Sequence, residues 1–317
     1  MNAPRLNQVY SALTTRRRYE VWFLKMALAD GSGAWWFRYL LTNPGRPGGG
    51  GCTDLGTAPV EIWATWFPKD GPAESYIEGF PIEGLALSQP DQPLYLEHGF
   101  NRITHDSCHG LVRAKGRTIE WDLRYRSSAG FVMSNVGWIG FSRTPHTDAV
   151  FEGELTIDGQ SIFGNPIGYG LQGHNCGFRH RHLWTWAHAL HHHDSGASST
   201  FEALEYEIAP GLFFRRALLW HFGSLYRLGG FRTGLRDRDT MRWNFNCRDR
   251  RSGVAVEAAF DGYGSSVHRL PYTRTDCSGT FEVSNNSLAS AQVRILVPGN
   301  PETELMFNQG AVLEMVG

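Results

Sequence analysis

Two segments of this 317-residue sequence concentrate the side chains that could do chemistry. The first, Thr104–Arg126, reads THDSCHGLVRAKGRTIEWDLRYR. Lys115-Gly116 suits a two-residue hairpin turn, because glycine tolerates the positive φ that such turns need. That turn sets Val112 against Ile119, Gly110 against Trp121, Cys108 against Leu123 and Asp106 against Tyr125. Alternation then places Asp106, Cys108, Gly110 and Val112 on one face with Ile119, Trp121, Leu123 and Tyr125. His105, Ser107, His109, Arg113, Glu120, Asp122, Arg124 and Arg126 take the opposite, wet face. A carboxyl alone among apolar and aromatic neighbours loses solvation in its charged form, which raises its pKa. Asp106 is therefore expected to be a general acid that keeps its proton near neutrality, with ligand space above Gly110. The competing reading puts Asp106 at the open end of the strand, hydrogen-bonded to Tyr125 or to loop amides. A one-residue slip of register would reverse the assignment.

The second segment, Gly168–Asp194, reads GYGLQGHNCGFRHRHLWTWAHALHHHD. A strand beginning at His180 would align His180, His182, Trp184, Trp186 and His188 on one face. Two indoles with several imidazoles can enclose an apolar ligand, donate hydrogen bonds and stabilise a developing cation; plain core packing is the alternative. His180, His182 and His188 could also meet a zinc ion. No carboxylate pattern supports them and Arg179 and Arg181 flank them, so no metal is expected. His191–His193 with Asp194 reads as a solvated turn. Glu202 is a second-rank acid, with Glu205 and Glu207 on the wet face of their strand. Cys108 and His109 point to opposite faces, which argues against a Cys–His dyad. Gly48–Gly51 lacks the Gly-Lys-Ser/Thr of a phosphate loop, and no G-x-S-x-G elbow occurs.

The elements that must position these residues are strands. Aromatic residues make up 13 % of the chain beside 37 glycines, a composition of pleated surfaces and tight turns. Short alternating runs recur at Tyr19–Ala27, Ala34–Leu41, Val60–Phe67, Thr118–Arg126, Leu183–Leu190, Phe201–Ile208, Val254–Phe260 and Gln292–Val297. Asn43–Gly56 is a Gly/Pro-rich loop, and Leu212–Trp220 fits a short helix or a strand. WFLKMALADGSGAWWF at Trp22–Phe37 and WAHALHHHDSGASSTF at Trp186–Phe201 form a faint repeat. Length and repeat together suggest two similar β-domains, 1–165 and 166–317, divided at Gly164–Pro166.

Charge and hydropathy exclude several partners. Thirty basic and 31 acidic side chains give a formal charge of −1, so no basic field is available for nucleic acid. No stretch approaches the ~20 apolar residues of a membrane span, which leaves only peripheral membrane contact open. Met1–Lys25 lacks the apolar region and cleavage site of a signal peptide, giving cytoplasm as the expected location. The five cysteines contain no CxxC pair, which argues against a disulfide scaffold or zinc ribbon.

Several of these pieces, in this order, resemble one superfamily. YEVWFLKMALADGSGAWWFRYLL followed by APVEIWATWF is similar to the opening of proteins related to tocopherol cyclase, carotenoid 1,2-hydratase (hydroxyneurosporene synthase) and the lipocalin-like Diels–Alderases. IEWDLRY, the GYGLQGHNCG…LWTWAH block and VSNNSLASAQVRI extend the likeness from about residue 19 to 297. The family's middle block reads closer to Asn-Trp-Gly, where this chain has Asn175-Cys176-Gly177; Trp184-Thr185-Trp186 is kept. The resemblance implies an all-β chain of two lipocalin-like antiparallel barrels or half-barrels packed side by side, with a hydrophobic ligand within or between them.

It also implies a cofactor-independent enzyme acting on an isoprenoid or polyene by alkene protonation, with cyclisation or hydration. In that scheme Asp106 donates the proton, and His174 or His188 accepts a proton or activates water. Trp121, Tyr125, Tyr169, Asn175, Trp184 and Trp186 surround the substrate and its cation. Two other readings stand beside it: a non-catalytic carrier or sensor of a lipophilic molecule, and a pericyclase that uses shape without proton transfer.

Overall fold

A computed structural model describes residues 3–10, 16–90, 92–264 and 266–317, apart from the side chains of Ala3, Trp138 and Gln309. The chain is all-β, with a half-barrel sheet and a closed eight-stranded barrel. It divides into two compact units. One comprises Met1–Trp66, Glu74–His180 and Tyr272–Phe281; the other comprises Phe67–Ala73, Arg181–Pro271 and Glu282–Gly317. The division after His180, instead of at Gly164–Pro166, has a plain cause: those residues lie inside an 18-residue strand, Gln160–Gly177, paired on both sides.

The first sheet contains β1 (Tyr19–Leu28), β2 (Gly33–Thr42), β3 (Val60–Pro68), β4 (Glu74–Phe80), β5 (Ala86–Leu87), β6 (Tyr95–His98), β7 (Asn101–Thr104), β8 (Ser107–Ala114), β9 (Arg117–Arg126), β10 (Phe131–Asn135), β11 (Gly140–Ile157) and β12 (Gln160–Gly177). Its order is β4-β3-β2-β1-β12-β11-β9-β8-β7-β6-β5, with β10 pairing β11. The central strands β1 and β2 are buried on both faces. One face builds the core: Trp22, Leu24 and Met26 of β1 meet Trp35, Phe37 and Tyr39 of β2, Ile62 of β3 and Trp121 and Leu123 of β9. Short α1 (Ala3–Leu6) and the residues after it add Leu6 and Val9, both buried.

The second sheet contains β13 (Trp184–His192), β14 (Ser198–Ala209), β15 (Leu212–His221), β16 (Ser224–Asp237), β17 (Arg242–Arg248), β18 (Ala255–Asp261), β19 (His268–Thr273), β20 (Thr280–Leu296) and β21 (Thr303–Val316). Its order is β18-β17-β16-β15-β14-β13-β21-β20-β19, and a β18–β20 pairing closes eight of the strands into a ring. Phe201, Trp243, Phe245 and Phe260 fill its interior against small residues such as Ala187, Ala203 and Ala217. Leu212–Trp220, open between helix and strand by pattern, is strand β15. Both halves of the faint repeat are hairpins, β1–β2 and β13–β14.

A disulfide joins Cys52, in the Gly/Pro-rich loop after β2, to Cys277 within the first unit. The low cysteine count and lack of CxxC spacing gave no sign of this single long-range bridge. Asn43 Nδ2 donates to the Thr275 carbonyl at 2.8 Å beside it.

Candidate functional site

The 104–126 hairpin has the expected register: Val112 pairs Ile119, Gly110 pairs Trp121 and Cys108 pairs Leu123. The expected surroundings of Asp106 are not built, however. Asp106 lies in the turn between β7 and β8, where its side chain is 58 % exposed, 3.6 Å from His105 and accepting a 2.9 Å bond from the Thr104 hydroxyl. Its carbonyl does face Tyr125, accepting that residue's N–H at 2.9 Å, but a turn residue no longer obeys the alternation of the strand. It borders a surface hollow of about 300 Å³ with Arg124, Tyr125, Arg126 and Glu152. The space expected above Gly110 is occupied as well: a Cβ there would lie 2.0 Å from the Trp121 ring. That indole stacks on Phe37 with centroids 4.4 Å apart and donates to the Tyr39 hydroxyl at 2.9 Å. Trp121 and Tyr125 are core residues, Tyr125 donating to the Thr104 carbonyl at 2.8 Å. Burial pushes the Cys108 thiol far up, and its neighbour His109 pairs with Asp122.

On β12, alternation separates His174 from Asn175. His174 points to the core face and is fully buried with Glu20, its Nε2 2.8 Å from Glu20 Oε1 and its Nδ1 3.1 Å from the Leu6 carbonyl. A carbonyl only accepts, so Nδ1 carries the proton of that bond. The Tyr10 N–H also donates to Glu20 Oε1, at 2.9 Å, and Trp22 stacks on the imidazole with centroids 4.7 Å apart. With both ring nitrogens engaged and no exposure, His174 holds the segment through Leu6 and Tyr10 in place, where a water-activating base had been expected.

Asn175 and Tyr169 share the other parity of β12, and the opposite face of this sheet carries the most unusual chemistry of the first unit. Cross-strand pairing over β2, β1 and β12 sets it out in rows: Leu40, Val21 and Asn175; Arg38, Phe23 and Gly173; Trp36, Lys25 and Leu171. Gly173 is required here because the Phe23 ring lies directly on it, 2.1 Å from where a Cβ would stand. Arg38, 5 % exposed, places its guanidinium carbon 4.5 Å from the Trp63 ring and 4.4 Å from the Tyr272 ring. The two rings meet at 86° and form a corner around it. Arg38 Nη1 has no hydrogen-bond partner among the described residues, and neither has Asn175 Oδ1.

Three titratable groups on this part of the unit are displaced. Burial raises the Glu61 carboxyl, opposed by a 3.2 Å bond from Trp63 Nε1 and by the charge of Arg38. Burial pushes the Lys25 ammonium down to about 7. His180 is pushed down to about 3, first by burial and then by Arg38 and Arg274. It stacks on Tyr19 with centroids 4.0 Å apart and meets Tyr272 edge-on. A carboxyl inclined to keep its proton, an amine inclined to lose one and a buried guanidinium make an acid–base constellation walled by Phe23, Trp36, Trp63 and Tyr272. Lys25, Arg38 and Glu61 escaped the sequence reading, which had set His180 on a strand with His182 and Trp184 instead of beside Tyr19 and Tyr272. Their signal was a charged residue two positions from an aromatic one in Phe23-x-Lys25, Trp36-x-Arg38 and Glu61-x-Trp63.

In the second unit, β13 starts at Trp184, so His180 and His182 are not part of that strand. From Trp184 onward the expected alternation holds, with Ala187 and Ala189 turned into the barrel core. Trp186 Nε1 donates to Glu202 Oε1 at 2.8 Å, Trp184 Nε1 to Glu314 Oε1 at 2.8 Å, and His188 Nε2 meets the Thr200 hydroxyl at 3.0 Å. Glu202 therefore belongs with the indoles. Glu205, expected on the wet face, is buried and ion-paired with Arg215 and Arg236. His191 and His192, expected in a solvated turn, end strand β13, and His193 and His221 both meet the Ser199 hydroxyl. Among the described residues no three His, Cys, Asp or Glu side chains are grouped to hold a metal ion. No described helix is long and apolar enough to cross a membrane.

No family model and no curated protein matches the chain. Its likeness lies among solved structures. Kievitone hydratase from Nectria haematococca is similar over 100 % of this chain and 95 % of that one, with a TM-score of 0.54 at 12 % identity. An AttH candidate from Nitrosomonas europaea covers 99 % of both chains at 12 % identity, with a TM-score of 0.48. At such identity the likeness to the hydratase is one of fold.

Proposed function

We propose that this chain is a cofactor-independent enzyme that protonates an alkene of a small hydrophobic molecule and completes the reaction by cyclisation or hydration. The observation that carries this reading is Glu61, a carboxyl raised by burial on a face lined with aromatic rings. It takes the role first expected of Asp106. The Glu61 carboxylic acid gives its proton to one alkene carbon, and the electron-rich rings face the carbocation formed at the other. The resulting carboxylate is stabilised by the Trp63 indole N–H and the charge of Arg38. A substrate hydroxyl or water then adds to the cation and loses a proton, which restores the acid. The fold shared with a hydratase agrees with such chemistry and does not by itself establish it.

The test uses 2-(3-methylbut-2-enyl)phenol, which reports both outcomes by mass spectrometry. Cyclisation gives a chroman of unchanged mass, and hydration gives a tertiary alcohol one water heavier. Conversion by the native chain, abolished in Glu61→Gln and kept in Asp106→Asn, supports the reading. Conversion by Glu61→Gln at the native rate overturns it.

A second reading, a carrier of a lipophilic molecule, draws on the same corner of Trp63 and Tyr272 around Arg38 without proton transfer. It predicts recovery of bound ligand unchanged from the native chain.

A further inference from the structure

The least explained group in the first unit is the guanidinium of Arg38. Buried charges are normally paired, because removing an ion from water costs far more than ring contacts return. Arg38 is in no ion pair among the described residues, and its Nη1 has no hydrogen-bond partner. The nearby acid does not supply one: Glu61 accepts from Trp63, and its burial favours the neutral form. Cation–π contact with Trp63 and Tyr272 offsets part of the cost but uses the ring faces, not the N–H donors.

From this arrangement we propose that Arg38 is the receptor for an oxyanion, so that the ligand of this face is a hydrophobic molecule bearing a carboxylate or an ionised hydroxyl. This rests on the preceding reading for the identity of the site and adds the chemical class of its substrate. A guanidinium presents its N–H groups in a rigid fork that fits two oxygens of a carboxylate. Its corner of two perpendicular rings fixes the orientation before the ligand arrives, which lowers the ordering cost of binding. Burial disfavours the charged form of Glu61, and His180 is neutral above its depressed pKa of about 3. The apolar body of the ligand would then lie towards Phe23, in the cross-strand row of Arg38, and Trp36, in the next row. A charge-assisted bond of this kind corresponds to roughly 10- to 100-fold in affinity.

The experiment titrates the full chain calorimetrically with 2-naphthoate and with its neutral counterpart 2-naphthalenemethanol. The native protein should prefer the anion by roughly 10- to 100-fold. Arg38→Met should bind both alike, while melting no lower than the native chain because an unpaired buried charge has been removed. Arg38→Lys should keep a reduced preference, and it provides the decisive comparison if Arg38→Met does not fold. Equal binding of the two compounds by the native chain, or an undiminished preference in Arg38→Met, overturns the proposal. Glu61→Gln separates the two claims: it should lose turnover and retain the preference for the anion. An absence of turnover in the native chain, with the preference intact, would remove the enzymatic reading and leave the oxyanion site standing.

Discussion

The contact between Gly173 and Phe23 permits a quantitative test of how the acid–base face is built. In Gly173→Ala the new Cβ would lie 2.1, 2.5 and 2.7 Å from three atoms of the Phe23 ring. Carbon atoms rest at about 3.5–4.0 Å, so the ring must retreat by roughly 1.5 Å. It has little room, being 7 % exposed and tilted against Trp36 with centroids 5.7 Å apart. Forcing a methyl into such packing costs about 1–3 kcal/mol, and we expect the upper half of that range. Urea denaturation should show a lower midpoint with an unchanged slope. The decisive control is Phe23→Ala: with the ring gone, adding the methyl at 173 should cost nothing. The resulting coupling energy should therefore be about 1–3 kcal/mol. A Gly173→Ala protein within about 0.5 kcal/mol of native, or a cost that persists in the Phe23→Ala background, would refute the packing described here.

Two further perturbations follow from the same unit. His180 titrates near 3 when folded against 6.5 for the free imidazole, so between those values the unfolded chain binds more protons. Stability should fall on acidification through that window by at most about 1.4 kcal/mol per pH unit, and His180→Phe should remove that component from the urea-derived profile. Cys277→Ser, or reduction, releases a bridge between residues 225 positions apart and should lower stability by about 2–5 kcal/mol. Limited proteolysis should then cut within Gly48–Gly51 sooner than in the oxidised protein. An unchanged cleavage rate would show that the bridge does not restrain the loop.

The strands were largely legible because alternation is local. Tyr19–Ala27, Ala34–Leu41 and Val60–Phe67 differ from β1, β2 and β3 by a residue or two at their ends. The hairpin at Lys115-Gly116 followed from turn chemistry, and its register was correct as far as Cys108. The strand stops one residue further on, at Ser107, and with it the alternation that had placed Asp106 on the apolar face. The long strands β11, β12 and β20 were missed in whole or in part because glycine, proline and bulges interrupt their patterns. Lys25, Arg38 and Glu61 were hidden for a different reason. On a strand buried on both faces, neither parity is wet, and no local rule distinguishes a buried charge from a solvated one. Tyr272 and Cys277 approach β2 and β3 from more than 200 residues away, which only the fold reveals.

Whether Glu61 can act as the acid is tested most directly by titrating its side-chain carboxyl by ¹³C NMR in the native chain and in Arg38→Met. Burial should hold its midpoint above the ordinary value of 4.5, and removal of the Arg38 charge should move it higher still. A midpoint at or below 4.5 that does not respond to Arg38→Met would leave this face without a proton to give.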